Sequence, residues 1–258
     1  MLEAAGRRVD IPPRPLCCGR PLYDYGMLDL ARRMLLQILE TLRPAIREGV
    51  PVVGLEPSCV AVFRDEMTNL LPDDLDAQRL KGQTFVLGEF LDRIGWQPPR
   101  LPGCALVHGH GHHRSVLDFP AEQRLLGKVG LDVEMPDSGC CGMAGSFGFE
   151  RQHYAISMKA AERVLLPAVR RAPADALIIT DGFSCREQIS QATGRRALHL
   201  AEVLRLALRG DRGGGPVRAS AAPRASSHRR AALVTAAGAG LALTLLMTHG
   251  APMRTGRR

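Results

Sequence analysis

No Gly-x-Gly-x-x-Gly cradle, no P-loop and no Ser-His-Asp arrangement occurs in this chain, so the sequence offers nothing to support nucleotide binding or triad hydrolysis. The closely spaced CxxC and CxxH elements of ordinary zinc sites are missing too. Met1–Arg8 lacks the apolar run of a signal peptide, and the seven cysteines are an odd number. Reduced thiols or thiolate ligands in a cytoplasmic setting are therefore expected, not a disulfide framework. Net charge is also lacking where it would matter. The formal +8 comes from Arg209 onward, where nine arginines face one acid, Asp211, while residues 1–208 carry 25 charges of each sign. A nucleic-acid partner loses its main support.

What the chain does have is one cysteine pattern written twice. Cys17-Cys18-Gly19 is followed 40 residues later by Cys59, and Cys140-Cys141-Gly142 is followed 43 residues later by Cys185. Neighbouring cysteines seldom bridge to each other because the ring is strained, so a repeated pair with a distant third sulfur reads first as metal ligation. The repeat extends beyond the cysteines. Leu2 to Gly6 with Val9 and Pro12 matches Leu126 to Gly130 with Val133 and Pro136. After each pair come a glycine-bearing turn, a helix-length amphipathic stretch (about 28–48 and 152–171), and a short apolar run ending at the third cysteine.

Strand-length apolar runs alternate with helix-length segments, which predicts an α/β fold. Two tandem pseudo-repeats are expected, each a small parallel sheet flanked by helices. In the second, strands are predicted at Cys104–Val107, Leu131–Glu134 and Ala176–Thr180, with a short one before Leu198 and Cys185 at the start of a helix. The first repeat begins at its Leu2 lead-in and lacks an opening strand, which a longer chain or a partner would supply. The division is then residues 1–94 for the first unit, 95–103 for a linker and 104–209 for the second unit. Residues 210–230 read as a disordered basic linker, 231–247 as a single membrane-crossing or Ala-rich helix, and 248–258 as a basic tail. Arginines on both flanks leave the orientation of 231–247 open.

Thiolates are the ligands that iron–sulfur clusters favour, and ligands at strand ends converge on the carboxyl edge of a parallel sheet. Gly19 and Gly142 would let the backbone approach such a cluster. The alternative readings are small buried core cysteines, or zinc held by three cysteines and a histidine. A second constellation, His108-Gly109-His110-Gly111-His112-His113, puts three imidazoles on one side if its backbone is extended, where they would bind metal or pass protons. Cys104 lies outside the repeat and reads as a plain thiol.

The segments around Cys17-Cys18-Gly19-Arg20-Pro21, Glu56-Pro57-Ser58-Cys59, Ser138-Gly139-Cys140-Cys141-Gly142 and Phe183-Ser184-Cys185-Arg186 resemble the cysteine-rich CCG domains of iron–sulfur oxidoreductases. That family includes the cysteine-rich component of heterodisulfide reductase and the C-terminal part of FAD-linked lactate or glycolate dehydrogenase-type proteins. The resemblance covers about residues 1–208. It implies an iron–sulfur cluster, [4Fe-4S] by family type, on Cys17, Cys18, Cys59, Cys140, Cys141 and Cys185. His110 or His112 would complete a site, because Gly111 stands where the family carries a cysteine.

The implied activity is electron relay. A flavin-binding dehydrogenase domain or subunit, carrying FAD, takes a hydride from a 2-hydroxy acid, and electrons then pass to a quinone or another carrier. The chain itself supplies no hydride chemistry. A scaffold domain that lost its clusters and a thiol–disulfide enzyme are the competing readings.

Overall fold

Short apolar runs that end in a turn-forming residue become parallel strands, and the amphipathic stretches between them become crossover helices. The structure, a computed structural model, describes residues 1–210, which fall in one unit spanning Met1–Val217. The linker, helix and tail expected over 210–230, 231–247 and 248–258 lie outside the described residues, Gly210 apart. No described helix is long and apolar enough to cross a membrane.

The N-terminal part runs α1 (Arg20–Asp24), α2 (Leu28–Arg47), β1 (Val52–Gly54), α3 (Pro57–Arg64), α4 (Glu66–Leu70), α5 (Leu75–Gln83), β2 (Thr84–Val86) and α6 (Leu87–Arg93). The C-terminal part runs β3 (Gly103–Val107), α7 (Gly111–Ser115), α8 (Phe119–Val129), β4 (Leu131–Glu134), α9 (Tyr154–Glu162), α10 (Leu165–Arg171), β5 (Leu177–Ile179), α11 (Phe183–Thr193), β6 (Ala197–Leu198) and α12 (Leu200–Arg209). Two parallel sheets result, β1-β2 and β4-β3-β5-β6, as the α/β reading anticipates.

The two sheets share a pattern. β1 leads into α3 with Cys59 as its third residue, and β5 leads into α11 with Cys185 as its third. The difference lies at the front. β4 pairs only with β3, and no described strand plays the part of β3 beside the matching lead-in, so residues 7–10 have nothing to pair with and stay irregular. The N-terminal sheet therefore has two strands among the described residues.

Alternation along the strands divides the C-terminal core in two. Leu106 and Ile178 face one cluster with Leu165, Val169, Cys141 and Cys185. Ala105, Val107 and Ile179 face the other with Leu126 of α8 and Leu200, Val203 and Leu204 of α12. In α2 the buried Leu35, Ile38, Leu39 and Ile46 form a helical stripe against α5.

The single helix expected over 152–171 is broken at Arg163–Val164, giving α9 and α10. Pro167 is the cause: without an amide hydrogen, and with its ring against the carbonyl four residues back, it cannot continue the helix through Arg163.

Leu126, wholly buried between α8 and the C-terminal sheet, tests the packing. Leu126→Ala is expected to lower stability by about 2–5 kcal/mol, read as a shifted urea midpoint with an unchanged slope.

Candidate metal centre

In the β4-β3-β5-β6 sheet the chain crosses from β3 out to β4 and returns to the other side of β3 as β5, so the order reverses between β3 and β5. Such a switch point opens a crevice beyond the carboxyl ends of the strands. Three loops meet there. The loop after β3 carries His108, the loop after β4 carries Cys140-Cys141-Gly142, and the turn after β5 delivers Cys185 in the first turn of α11.

His108, Cys141 and Cys185 are all buried, and their donor atoms lie within 4.8 Å of one another. Cys140 is exposed, and its sulfur accepts from the Gly142 amide at 3.3 Å. Gly142 has φ +91°, and a Cβ there would run into the Ser157 carbonyl of α9, so this backbone route is open to glycine alone. His108 Nδ1 lies 2.6 Å from Ser138 Oγ while its buried Nε2 has no hydrogen-bond partner. A histidine tied through one nitrogen with the other left bare is arranged as metal ligands are. Two buried sulfurs and one imidazole, with the exposed Cys140 next in the chain, thus fit a thiolate-held metal or cluster, and the orphaned Nε2 agrees with it.

Charge in the pocket agrees with this chemistry. Burial holds the His108 imidazole down at about 4, so it is neutral with a lone pair to give. The Cys141 thiol is pulled down by its hydrogen bond with Cys140 but pushed up more by Cys185 and burial, to about 12. Cys140 is pushed up by Cys141 and then by burial. Without a cation these thiols keep their protons, so metal binding would release them.

The N-terminal site is smaller. Cys18 and Cys59 lie 3.2 Å apart, near enough to share a proton: the hydrogen bond with Cys59 holds Cys18 down at about 7 and drives Cys59 up. Cys17 is exposed. Gly19, at φ +72°, turns the chain into α1 with its Cα side against Ala31 of α2. Cys104 is exposed at the start of β3, away from both groups.

The three histidines do not share a side. Strand geometry stops at Val107, and His110 already caps α7, so the alternation that would align His108, His110 and His112 ends after the first of them. Only His108 joins Cys141 and Cys185. His110 packs over Gly182, and His112 is hydrogen-bonded through Nε2 to Arg20, itself paired with Glu66. The His110 and His112 rings are stacked on each other, 5.4 Å apart.

Glu56 belongs to the Glu56-Pro57-Ser58-Cys59 segment, but nothing in the sequence assigns it a partner. Its carboxylate accepts from Ser58 Oγ and from the Phe183 amide, both at 2.8 Å, so it belongs to the α3 turn yet caps the helix that presents Cys185.

This site defines a class: cysteine-rich modules that hold metal at the carboxyl edge of a parallel sheet. The family model for the CCG cysteine-rich domain matches residues 1–64 and 101–190, and the chain belongs to that family. It is 31% identical over 213 residues to one of the subunits of the anaerobic glycerol-3-phosphate dehydrogenase of Escherichia coli, covering 81% of this chain and 53% of that protein. It is 30% identical to lactate utilization protein A of Bacillus subtilis (79% of this chain, 89% of that one) and 27% identical to D-2-hydroxyglutarate dehydrogenase of Pseudomonas putida (77% and 19%). The chain thus spans about half of the first of these relatives and a fifth of the last.

Two outcomes follow for the metal-free protein. Gly142→Ala, which must move the α9 backbone, is expected to cost about 2–4 kcal/mol in urea unfolding and to abolish metal uptake at the C-terminal site. Folded His108 and His110 sit at about 4 against about 6.5 unfolded, so the unfolded state binds more protons between these values. Their contribution is whole above pH ~6.5 and is lost as pH falls toward 4. A stability profile from pH 7 to 4 should fall, and should flatten when His108 is replaced by Gln.

Proposed function

We propose that this chain is the iron–sulfur electron-transfer module of a flavin-linked oxidoreductase acting on a 2-hydroxy acid of the lactate or glycolate type. The observation that carries this reading is the gathering of Cys141, Cys185 and His108, its Nε2 bare, at one sheet edge. The names of the relatives support the substrate class: lactate and D-2-hydroxyglutarate are 2-hydroxy acids, and glycerol-3-phosphate carries a secondary alcohol.

When bound, a [4Fe-4S] cluster supplies one-electron transfer between a two-electron flavin and an acceptor such as a quinone. The residues of this chain prepare the place for it. Cys141 and Cys185 come from separate loops and give up their protons to thiolate ligation, Cys185 at the favourable N-terminus of α11. Ser138 fixes the His108 ring, and the Gly142 amide donates to Cys140. Leu106, Leu165 and Ile189 pack beside Cys141 and Cys185 and exclude water, which lets nearby amides tune a potential. FAD belongs to a flavin-binding domain or partner subunit. At the N-terminal site Cys17, Cys18 and Cys59 form the candidate ligand set, with His112 hydrogen-bonded to Arg20 two residues beyond Cys18 and His110 stacked on His112.

A second reading, a scaffold domain that keeps the fold without a cluster, draws on Gly111. It stands at the first residue of α7 with open space around it, where the family carries a cysteine.

Anaerobic purification with iron and acid-labile sulfide analysis separates the two. The redox reading expects iron and sulfide in equal amounts and a paramagnetic signal on reduction, both lost in Cys141→Ser and Cys185→Ser. His108→Ala should keep the iron yet shift the signal or the potential. Protein without iron and sulfide after reconstitution leaves only the scaffold.

A further inference from the structure

Behind the cysteine pocket a second group of donor side chains converges, and electron transfer makes no use of it. His113 of α7, Glu122 of α8 and Asp181 in the turn after β5 are at most 3% exposed, and their donor atoms lie within 4.8 Å of one another. His113 Nδ1 stands 3.6 Å from Glu122 Oε2.

The surroundings leave this group short of positive charge. The Leu200 amide donates to Asp181 Oδ1 at 2.8 Å. His199 Nε2 comes within 3.4 Å of the same oxygen and 2.7 Å of the Leu55 carbonyl, and its Nδ1 accepts from the Ala201 amide. Arg186 of α11 is turned to the backbone carbonyls of Thr180 and Asp181. From α6, Gly88 presents only backbone against Glu122. Glu122 Oε2, aimed at His113, has no hydrogen-bond partner, nor has His113 Nε2. Two carboxyls shut away from water, with His199 near one oxygen of Asp181 and no lysine or arginine bonded to either, must share a proton, pair with a charged imidazole or hold a cation.

We propose that His113, Glu122 and Asp181 bind a divalent cation of the zinc class, a site separate from the cysteine centre and independent of what the cysteines hold. One imidazole and two carboxylates are borderline-to-hard donors suited to such an ion. Ligands at about 2.0–2.1 Å around a tetrahedral zinc lie roughly 3.4 Å apart, close to the His113–Glu122 spacing. Its place gives it a structural role. The three ligands come from the helix after the histidine-rich turn, from α8, and from the turn that leads through Gly182 to Cys185, so one ion would clamp the loops that frame both cysteine sites. Burial, which pushes Glu122 well up and also raises Asp181, agrees with a site that lacks its cation.

Metal analysis of the full chain, purified anaerobically without chelator, tests this. One equivalent of zinc, or of another divalent metal unmatched by sulfide, is expected per chain. That equivalent should persist in a Cys140→Ser/Cys141→Ser/Cys185→Ser variant and disappear in Glu122→Gln while iron and sulfide stay. Cobalt(II) added to a variant in which Cys17, Cys18 and Cys59 are also replaced by Ser should give weak visible d–d bands without thiolate charge transfer, and zinc should raise its melting temperature. Should Glu122→Gln fail to fold, the cobalt titration of this six-cysteine variant decides alone. No non-sulfide metal in the wild-type chain, together with no cobalt bands and no zinc-induced shift, overturns the proposal and leaves the two carboxyls sharing a proton. Loss of iron and sulfide with zinc retained would instead count against the electron-transfer reading only.

Discussion

Parallel pairing of β4, β3 and β5 is the constraint on which the rest depends. It obliges three loops, far apart in sequence, to leave the sheet at the same edge, and the reversal of strand order between β3 and β5 opens a gap there. Into that gap go His108, the Cys140-Cys141 pair and Cys185, each placed by the end of its own strand and not by any direct bond to the others along the chain. Buried apolar side chains on both faces hold the sheet, so the polar pocket is supported from below by Leu106 and Ile178 and from behind by α10 and α11.

The pocket is not built by the C-terminal residues alone. Glu56 reaches across to the Phe183 amide, His199 reaches back to the Leu55 carbonyl, and Arg20 joins His112 to Glu66. Glu56 and Phe183 join the turn after β1 to the turn after β5, so the helices that carry Cys59 and Cys185 are tied at their starts. The histidines of the His108–His113 run part company: His108 lies with Cys141 and Cys185, His110 packs over Gly182, His112 bonds Arg20, and His113 turns to Glu122 and Asp181.

Much of this was legible beforehand, for local reasons. β3, β4, β5 and α2 announce themselves through apolar runs and periodicity, and the cysteine pairs announce themselves by spacing. Other features were not. β2 is three residues wedged between two helices, too short to carry a period. The break between α9 and α10 turns on Pro167, which a smooth amphipathic pattern conceals. The histidine run reads as uniform until one knows that the strand stops at Val107 and a helix starts at Gly111. Glu56, one acid among many, owes its role wholly to a neighbour 127 residues away.

The amino-acid sequence by itself determined the kind of chemistry available, because sulfur, imidazole and glycine at those spacings have few other uses, and it determined the parallel α/β class through alternation. Tertiary structure alone decided which donors meet. Proximity across strands depends on pairing order and on which way each backbone turns at its strand end, and neither is a property of neighbouring residues. That is why His108, and not His110 or His112, stands with Cys141 and Cys185.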